Sequence, residues 1–335
     1  MLKEKIVTVG GGSGSPIVNE ALFLTGQVDE INAIAAVFDS GGATGRRRLD
    51  SYGNEIAYSD PMRIFRSLCT GGIAANSLET LDRWLTHRDI RGKVLGQEIF
   101  NHFFSSETGF AQIEEDAKAF GFDVRGHVLP ASTKPADINF VTRSGREFFG
   151  EHELDGQRMS KDMVAKISLT PEVPANEKAT TAIRTAALIF LSCGSFYGSV
   201  LSNFLPIGMK EALRETPAKI YLVTNLVSTR SETHRFTPGD FIHVLEKHLG
   251  RKPDGLIVPN ISRHDFERQN SKVARRYSLD GSFFLGWDQK QIASSQKNLG
   301  LRIVTHDATN IVETSDGPIV RHDPARLAET LKALL

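Results

Sequence analysis

Ile6-Val7-Thr8-Val9 runs directly into Gly10-Gly11-Gly12-Ser13-Gly14, and this junction constrains the fold more than any other feature of the chain. A short apolar, β-branched run closed by glycine reads as a buried strand. Ser15-Pro16 then supplies an N-cap and a proline at the first helical position. The helix continues through Val18, Ala21, Leu22 and Leu24, and Ile31 to Phe38 reads as the next strand. Strand, glycine loop, helix and strand make one βαβ unit, whose two strands must be parallel. The expected fold class is α/β, a Rossmann-like, doubly wound and mostly parallel sheet.

Further strands of buried character are expected at Ala186 to Leu191, Ile220 to Thr224, Gly255 to Val258 and Leu301 to Thr305. A helix with Leu327, Leu331 and Leu334 on one face closes the chain. Two segments interrupt the pattern. Residues 61–122 read as a helical insertion, with Leu78, Leu81, Trp84 and Leu85, then Ile99, Phe100, Phe103 and Phe104, at helical spacing. Such stripes are core-facing in most helices. Residues 124–151 read as a small antiparallel insertion, with strands at Val124 to Leu129, Ile138 to Thr142 and Glu147 to Gly150 and a turn at Ser144-Gly145. The whole, residues 1–335, is expected to be a single α/β domain. Asp39 to Asp60 reads as a long irregular loop, a length that is usually functional.

Charge excludes some partners. The 335 residues carry 40 Lys+Arg and 40 Asp+Glu, so no global field recruits nucleic acid or an anionic membrane. Cys69 and Cys193 form no C-x-x-C pattern, which points to a reducing compartment and away from structural zinc. The first residues lack a signal-peptide core, and no apolar run is long enough to span a bilayer. The expectation is a cytoplasmic protein without a membrane span. An isologous homodimer is the common assembly for such proteins, although nothing in the sequence marks an interface.

Chemistry concentrates in loops at expected strand ends. Gly10, Gly11, Gly12, Ser13 and Gly14 can present backbone N–H groups to an anion beside a helix N-terminus. The loop lacks the Gly-Lys-Ser/Thr of a P-loop, and Ser15 stands where a dinucleotide fingerprint has its third glycine. Asp39-Ser40-Gly41-Gly42, followed by Arg46, forms a second loop with a carboxylate for a ribose hydroxyl or a metal and a guanidinium for phosphate. Asp60 and Arg63 lie where the chain re-enters a helix, and Asp60 before Pro61 is equally a plain N-cap. Gly194, Ser195 and Tyr197 belong to a third loop after a strand, and Asn225, Glu232 and Thr233 to a fourth. Cys193 reads as a small buried residue more readily than as a nucleophile, and Thr237-Pro238 as a helix cap. The ten histidines show no zinc-type pairing.

Together these segments resemble the CofD/YvcK superfamily. The residues that carry the resemblance are Gly10 to Gly14, Asp39-Ser40-Gly41-Gly42-Ala43-Thr44-Gly45-Arg46, Gly126-His127-Val128-Leu129-Pro130-Ala131-Ser132, Gly194 to Leu201 with Pro206 and Gly208, Asn225 through Glu232-Thr233, and Arg321-His322-Asp323-Pro324. The middle and C-terminal motifs are closer to the YvcK branch. That branch implies a regulator of carbon metabolism and cell-wall synthesis that binds a UDP-sugar, UDP-N-acetylglucosamine. The CofD branch implies a transferase that uses a nucleotide-activated donor, a deazaflavin acceptor and magnesium. Ser40 stands where the family pattern has an acid, which weakens a magnesium site; Asp39 and Asp60 remain as candidate metal or catalytic residues. Lys93 and Gln97 also replace family residues. The resemblance therefore favours a phosphate-bearing, nucleotide-type small ligand bound by a regulator, with the transferase as the alternative. A nicotinamide enzyme, with Asp39 or Arg46 near the ribose, fits poorly.

Overall fold

The computed structural model describes residues 5–72, 74, 76–104, 109–155, 162–315 and 317–335. Seven parallel strands form the main sheet: β1 (Ile6–Gly10), β2 (Ile31–Ala35), β3 (Gly126–Pro130), β4 (Leu188–Leu191), β5 (Lys219–Val223), β6 (Gly255–Pro259) and β7 (Arg302–His306). Their order across the sheet is β7-β6-β5-β4-β1-β2-β3. The chain thus winds outward from β1 in both directions, and the topological switch lies between β1 and β4. β1, β4 and β6 are buried at every position, as strands covered by helices on both faces must be.

Helix α1 (Gly14–Leu24) follows β1, and the closing helix Pro324–Lys332 packs against it. Leu327 and Leu331 are buried there, while Leu334 is only partly covered. Asp323 caps that helix by accepting from the Arg326 N–H at 3.1 Å. Thr237 and Asp240 form the reciprocal capping pair expected at Pro238. Among the described residues no helix is long and apolar enough to cross a membrane.

After α2 (Gly42–Asp50), the region expected as the helical insertion consists of α3 (Ser59–Leu68), α4 (Ser77–Thr86), α5 (Leu95–Phe104) and α6 (Phe110–Ala119). Its base is tied by antiparallel pairing of Cys69–Gly71 with Asp123–Val124. Edge-to-face packing of Tyr58, Phe65, Phe100, Phe104 and Phe110 fills its centre. Trp84 departs from the expected stripe and is 59% exposed, because it falls at the edge of the face that Leu81 and Leu85 bury.

Four elements differ from the sequence expectation. Within Asp39 to Asp60, the polar run 42–50 forms α2, held by burial of Thr44, Arg47 and Arg48 rather than by an apolar stripe. Gly126–Pro130 is not in the antiparallel insertion; it pairs parallel with β2 at the edge of the main sheet. The antiparallel sheet consists instead of Asp137–Thr142, Glu147–Phe149 and Val164–Thr170, the last too alternating and polar to stand out as a core strand. Ser15 does not cap α1, which begins one residue earlier. Its hydroxyl instead meets Ser192 Oγ at 2.9 Å, joining the loops that follow β1 and β4.

Candidate functional site

Four loops meet at the carboxyl ends of β1, β2, β4 and β5, beside the switch point, where open α/β sheets bind their ligands. The first and third are pressed backbone to backbone. A Cβ on Gly14 would lie 2.4 Å from the Cys193 carbonyl carbon, and one on Gly194 would lie 2.6 Å from the Gly11 carbonyl oxygen. Gly10 packs against Ser192 in the same way. Gly12, at φ +61°, and exposed Ser13 form the part of this loop that turns outward.

Asp60 is buried at the centre of the cluster. It does not cap α3, whose N-cap is Tyr58. Its carboxylate accepts from the Gly12 N–H and from Arg63 Nη1 at 3.1 Å. Burial pushes the acid up to about 6, against the pull of Arg63; nearby Asp39 pushes the same way as burial. Asp39 accepts from the Gly41 N–H at 2.7 Å through one oxygen and from Ser59 Oγ at 2.7 Å through the other. It thereby fastens the second loop to the start of α3. Gly42 opens α2 behind this turn.

The arginine run divides by environment. Arg46 is exposed beside Gly92. Arg47 is buried between Glu55 and Glu98. Arg48 is buried and bonds Asp137 at 2.7 Å and the Ala136 carbonyl at 2.9 Å. Arg46 is thus the exposed member of the run, and Arg63 on α3 is half-exposed.

The third loop is shaped by the fourth. Buried Glu232 accepts from Ser195 Oγ at 2.7 Å, the Tyr197 N–H at 2.8 Å and the Gly198 N–H at 3.4 Å. It occupies the amide cluster at the start of the helical turn Phe196–Val200, a position that suits an anion. Asn225 donates to the Gly194 carbonyl at 2.6 Å and the Cys193 carbonyl at 3.1 Å. Thr233 is buried in the local turn with Thr229. Tyr197 is buried, with its hydroxyl raised to about 12 by burial and by Glu232. Burial also raises the Cys193 thiol to about 12, so it is protonated at neutral pH and is no nucleophile.

Two features lie outside the loops that the sequence marked for ligand binding, although Arg321-His322 belongs to the C-terminal family motif. Glu151 and His152 lie on the turn Glu151–Asp155 after the antiparallel strands. Ser40 Oγ and His152 Nδ1 share a hydrogen bond of 2.8 Å, and the His152 backbone N–H donates to Ser40 Oγ at 3.2 Å. The Glu151 carboxylate reaches between Gly41 and Gly198, and Ser231 Oγ holds the Leu154 carbonyl at 2.8 Å. The insertion thus clamps the second loop to the third and fourth. On the opposite flank, the hairpin Thr309–Val312 with Ile319–His322 brings Arg321 and His322 beside Ser13, Gly14, Cys193 and Asn225 around a cavity of about 100 Å³. His306 and His322 lie against each other at a tilt of 48°, with ring centroids 5.0 Å apart. Both Nε2 atoms are buried without a hydrogen-bond partner. Burial holds His306 down to about 4 and His322 well below the ordinary imidazole range.

The match to known proteins covers this whole arrangement. The family model for 2-phospho-L-lactate transferase CofD matches residues 6–309. A gluconeogenesis factor from Bacillus subtilis is 28% identical over 340 residues, covering 99% of this chain and 98% of its own length. A Deinococcus radiodurans relative is 28% identical over 342 residues, covering 98% of this chain, while the alignment spans 66% of the relative's length. A crystal structure of a UPF0052 family member from Bacillus halodurans superposes with a TM-score of 0.81 at 25% identity, covering 99% of this chain and all of that one. A match running from β1 into the C-terminal hairpin, through every loop of the switch-point crevice, means that this chain belongs to the CofD family.

Proposed function

We propose that the chain is a nucleotide-sugar-binding regulator of the gluconeogenesis-factor type, taking a UDP-sugar without a metal ion. The observation that carries this reading is the state of the acids a cation would need. Both oxygens of Asp39 are bound within the loops, Asp60 is bound to Gly12 and Arg63, and the hydroxyl of Ser40 is turned to His152. A hard divalent ion wants several free carboxylate oxygens. Among the described residues no group of three or more His, Cys, Asp and Glu has metal-binding geometry. This donor set fits magnesium poorly.

Binding alone asks less of the site. The phosphates would lie over Gly12 and Ser13, with Arg46 and Arg63 as cationic partners, since amides and guanidinium groups favour phosphate oxygens. The cavity between Ser13 and Arg321 would take one end of the ligand. The similarity to a gluconeogenesis factor over almost the full length of both chains supports the regulatory role.

Thermal unfolding with UDP-N-acetylglucosamine, UDP and GTP, each with and without magnesium, tests the proposal, because a ligand selective for the folded state raises its midpoint. The expected result is a rise with the UDP-sugar that is the same in EDTA. A rise that needs magnesium and a guanine nucleotide would overturn it in favour of a transferase.

A further inference from the structure

A second cavity, of about 580 Å³, opens between α1, α3 and α4, outside the loop crevice. Phe23 and Leu24 of α1, Met62 of α3 and Leu85 of α4 give it an apolar wall. Leu24 is 55% exposed at its rim. Its volume falls in the range of small-molecule pockets, and side chains of this chain leave it open.

The polar groups on the wall are unevenly charged. Arg63, Arg66 and Arg125 line it, against Glu20 and Asp82, an excess of one positive charge. Two of the arginines are held in place: Arg66 by Asp82 at 2.7 Å and 2.8 Å, and Arg125 by the Val28 carbonyl and by stacking 4.4 Å above the Phe23 ring. Arg63 differs. Its side chain is 50% exposed, and Nη1 bonds Asp60 at 3.1 Å. Its guanidinium carries five donors, so it can receive an acid from the cavity side.

We propose that this cavity is a second ligand site, for a small amphipathic acid: an apolar body of one or two rings or a short chain, carrying a single carboxylate, sulfonate or phosphate that meets Arg63. The apolar wall excludes a sugar-like ligand, and the surplus charge excludes a cation. A purely neutral ligand would leave Arg63 partly desolvated without a new partner, which is costly. Because Arg63 also contacts Asp60 against the first loop, occupancy here acts on a residue that the nucleotide crevice shares.

The test uses 8-anilinonaphthalene-1-sulfonate as the acidic probe and uncharged N-phenyl-1-naphthylamine as its control, with the full chain in both cases. The expected result is saturable fluorescence of the sulfonate at one site per chain. Arg63→Met is expected to weaken the sulfonate about tenfold, the loss of one charge-assisted contact, and to leave the neutral probe unaffected. Leu24→Glu, at an exposed position, is expected to weaken both while the thermal midpoint stays near that of the parent. Sulfonate binding equal to the parent in both variants, or binding without saturation, would overturn the site. The two variants decide the matter whether or not the UDP-sugar binds.

Discussion

Asp60 presses so closely on Gly11 that a Cβ added to Gly11 would stand 2.0 Å from Asp60 Oδ2. A short buried acid from the start of α3 thus fills the space that a side chain would take in the first glycine loop. Gly11→Ala is expected to cost about 1–3 kcal/mol, the usual penalty for overpacking a fixed site. In an Asp60→Ala background the same change should cost much less, with a coupling of about 1 kcal/mol or more. Urea unfolding of the four proteins checks this; equal costs in both backgrounds would show that Asp60 does not set the requirement for glycine.

The raised pKa of Asp60 makes a prediction of definite sign. The folded state holds this proton up to about pH 6, against 3.8 for an ordinary aspartate. The folded chain therefore binds more protons than the unfolded chain between these values, and this contribution to stability falls as pH rises through the window. Above pH 6 the cost is constant, on the order of 3 kcal/mol. Relative to the parent, Asp60→Asn should gain stability from pH 4 to pH 6 and then run parallel. Denaturant midpoints at pH 4.5, 5.5 and 7 measure it, and a pH-independent difference would contradict it.

The His306 and His322 pair works in the opposite direction. Their folded values are depressed below 6.5, so the unfolded chain binds more protons as the pH falls. The stability present above about pH 6.5 is lost as the solution is acidified toward pH 4. His306→Asn, whose side-chain oxygen can replace Nδ1 in accepting the Ala308 N–H, should reduce that acid loss. Thermal midpoints at pH 5 and pH 7.5 for parent and variant give the comparison.

Glu232 substitutes for an anion inside the protein. Glu232→Ala would leave the Tyr197 amide and the Ser195 hydroxyl without this acceptor, while the Gly198 amide keeps Ser195 Oγ at 3.0 Å; the expected cost is about 2–4 kcal/mol. Glu232→Gln keeps one acceptor oxygen and should cost less. Matching losses in both variants, measured by chemical unfolding, would show that the acceptor is unimportant.

Ser40 offers a gain-of-binding test. Ser40→Asp adds a carboxylate next to Asp39 and removes the hydroxyl that is hydrogen-bonded to His152. Isothermal titration with magnesium should show binding to Ser40→Asp and none to the parent. Binding of comparable strength by the parent would mean that the existing acids already suffice.

Local pattern read correctly where a single element explains itself. The apolar runs before Gly10 and Gly194 marked β1 and β4, and Thr237-Pro238 marked a helix cap, because each depends on neighbours a few residues away. Patterns failed where a distant group took over. Ser15 has every feature of an N-cap and bonds Ser192 instead. Asp60 precedes proline as a cap would, yet turns to Gly12 and Arg63. Arg48 looked like part of a solvated run, but Asp137 and Ala136 bury it. Glu151, His152 and the His306–His322 pair belong to segments without periodicity, and only the packing of the antiparallel insertion and the terminal hairpin brings them to the loops.

The sequence by itself determined the parallel α/β architecture and the placement of glycine loops at strand ends, because burial periodicity and glycine turns act over a few residues. Only the tertiary structure decided what each loop group faces. Contacts such as Gly11 with Asp60, Ser40 with His152 and Ser195 with Glu232 join residues 37 to 112 positions apart. Their formation depends on the strand order β7-β6-β5-β4-β1-β2-β3, which sets the carboxyl ends of β1 and β4 side by side, and no local pattern encodes that order.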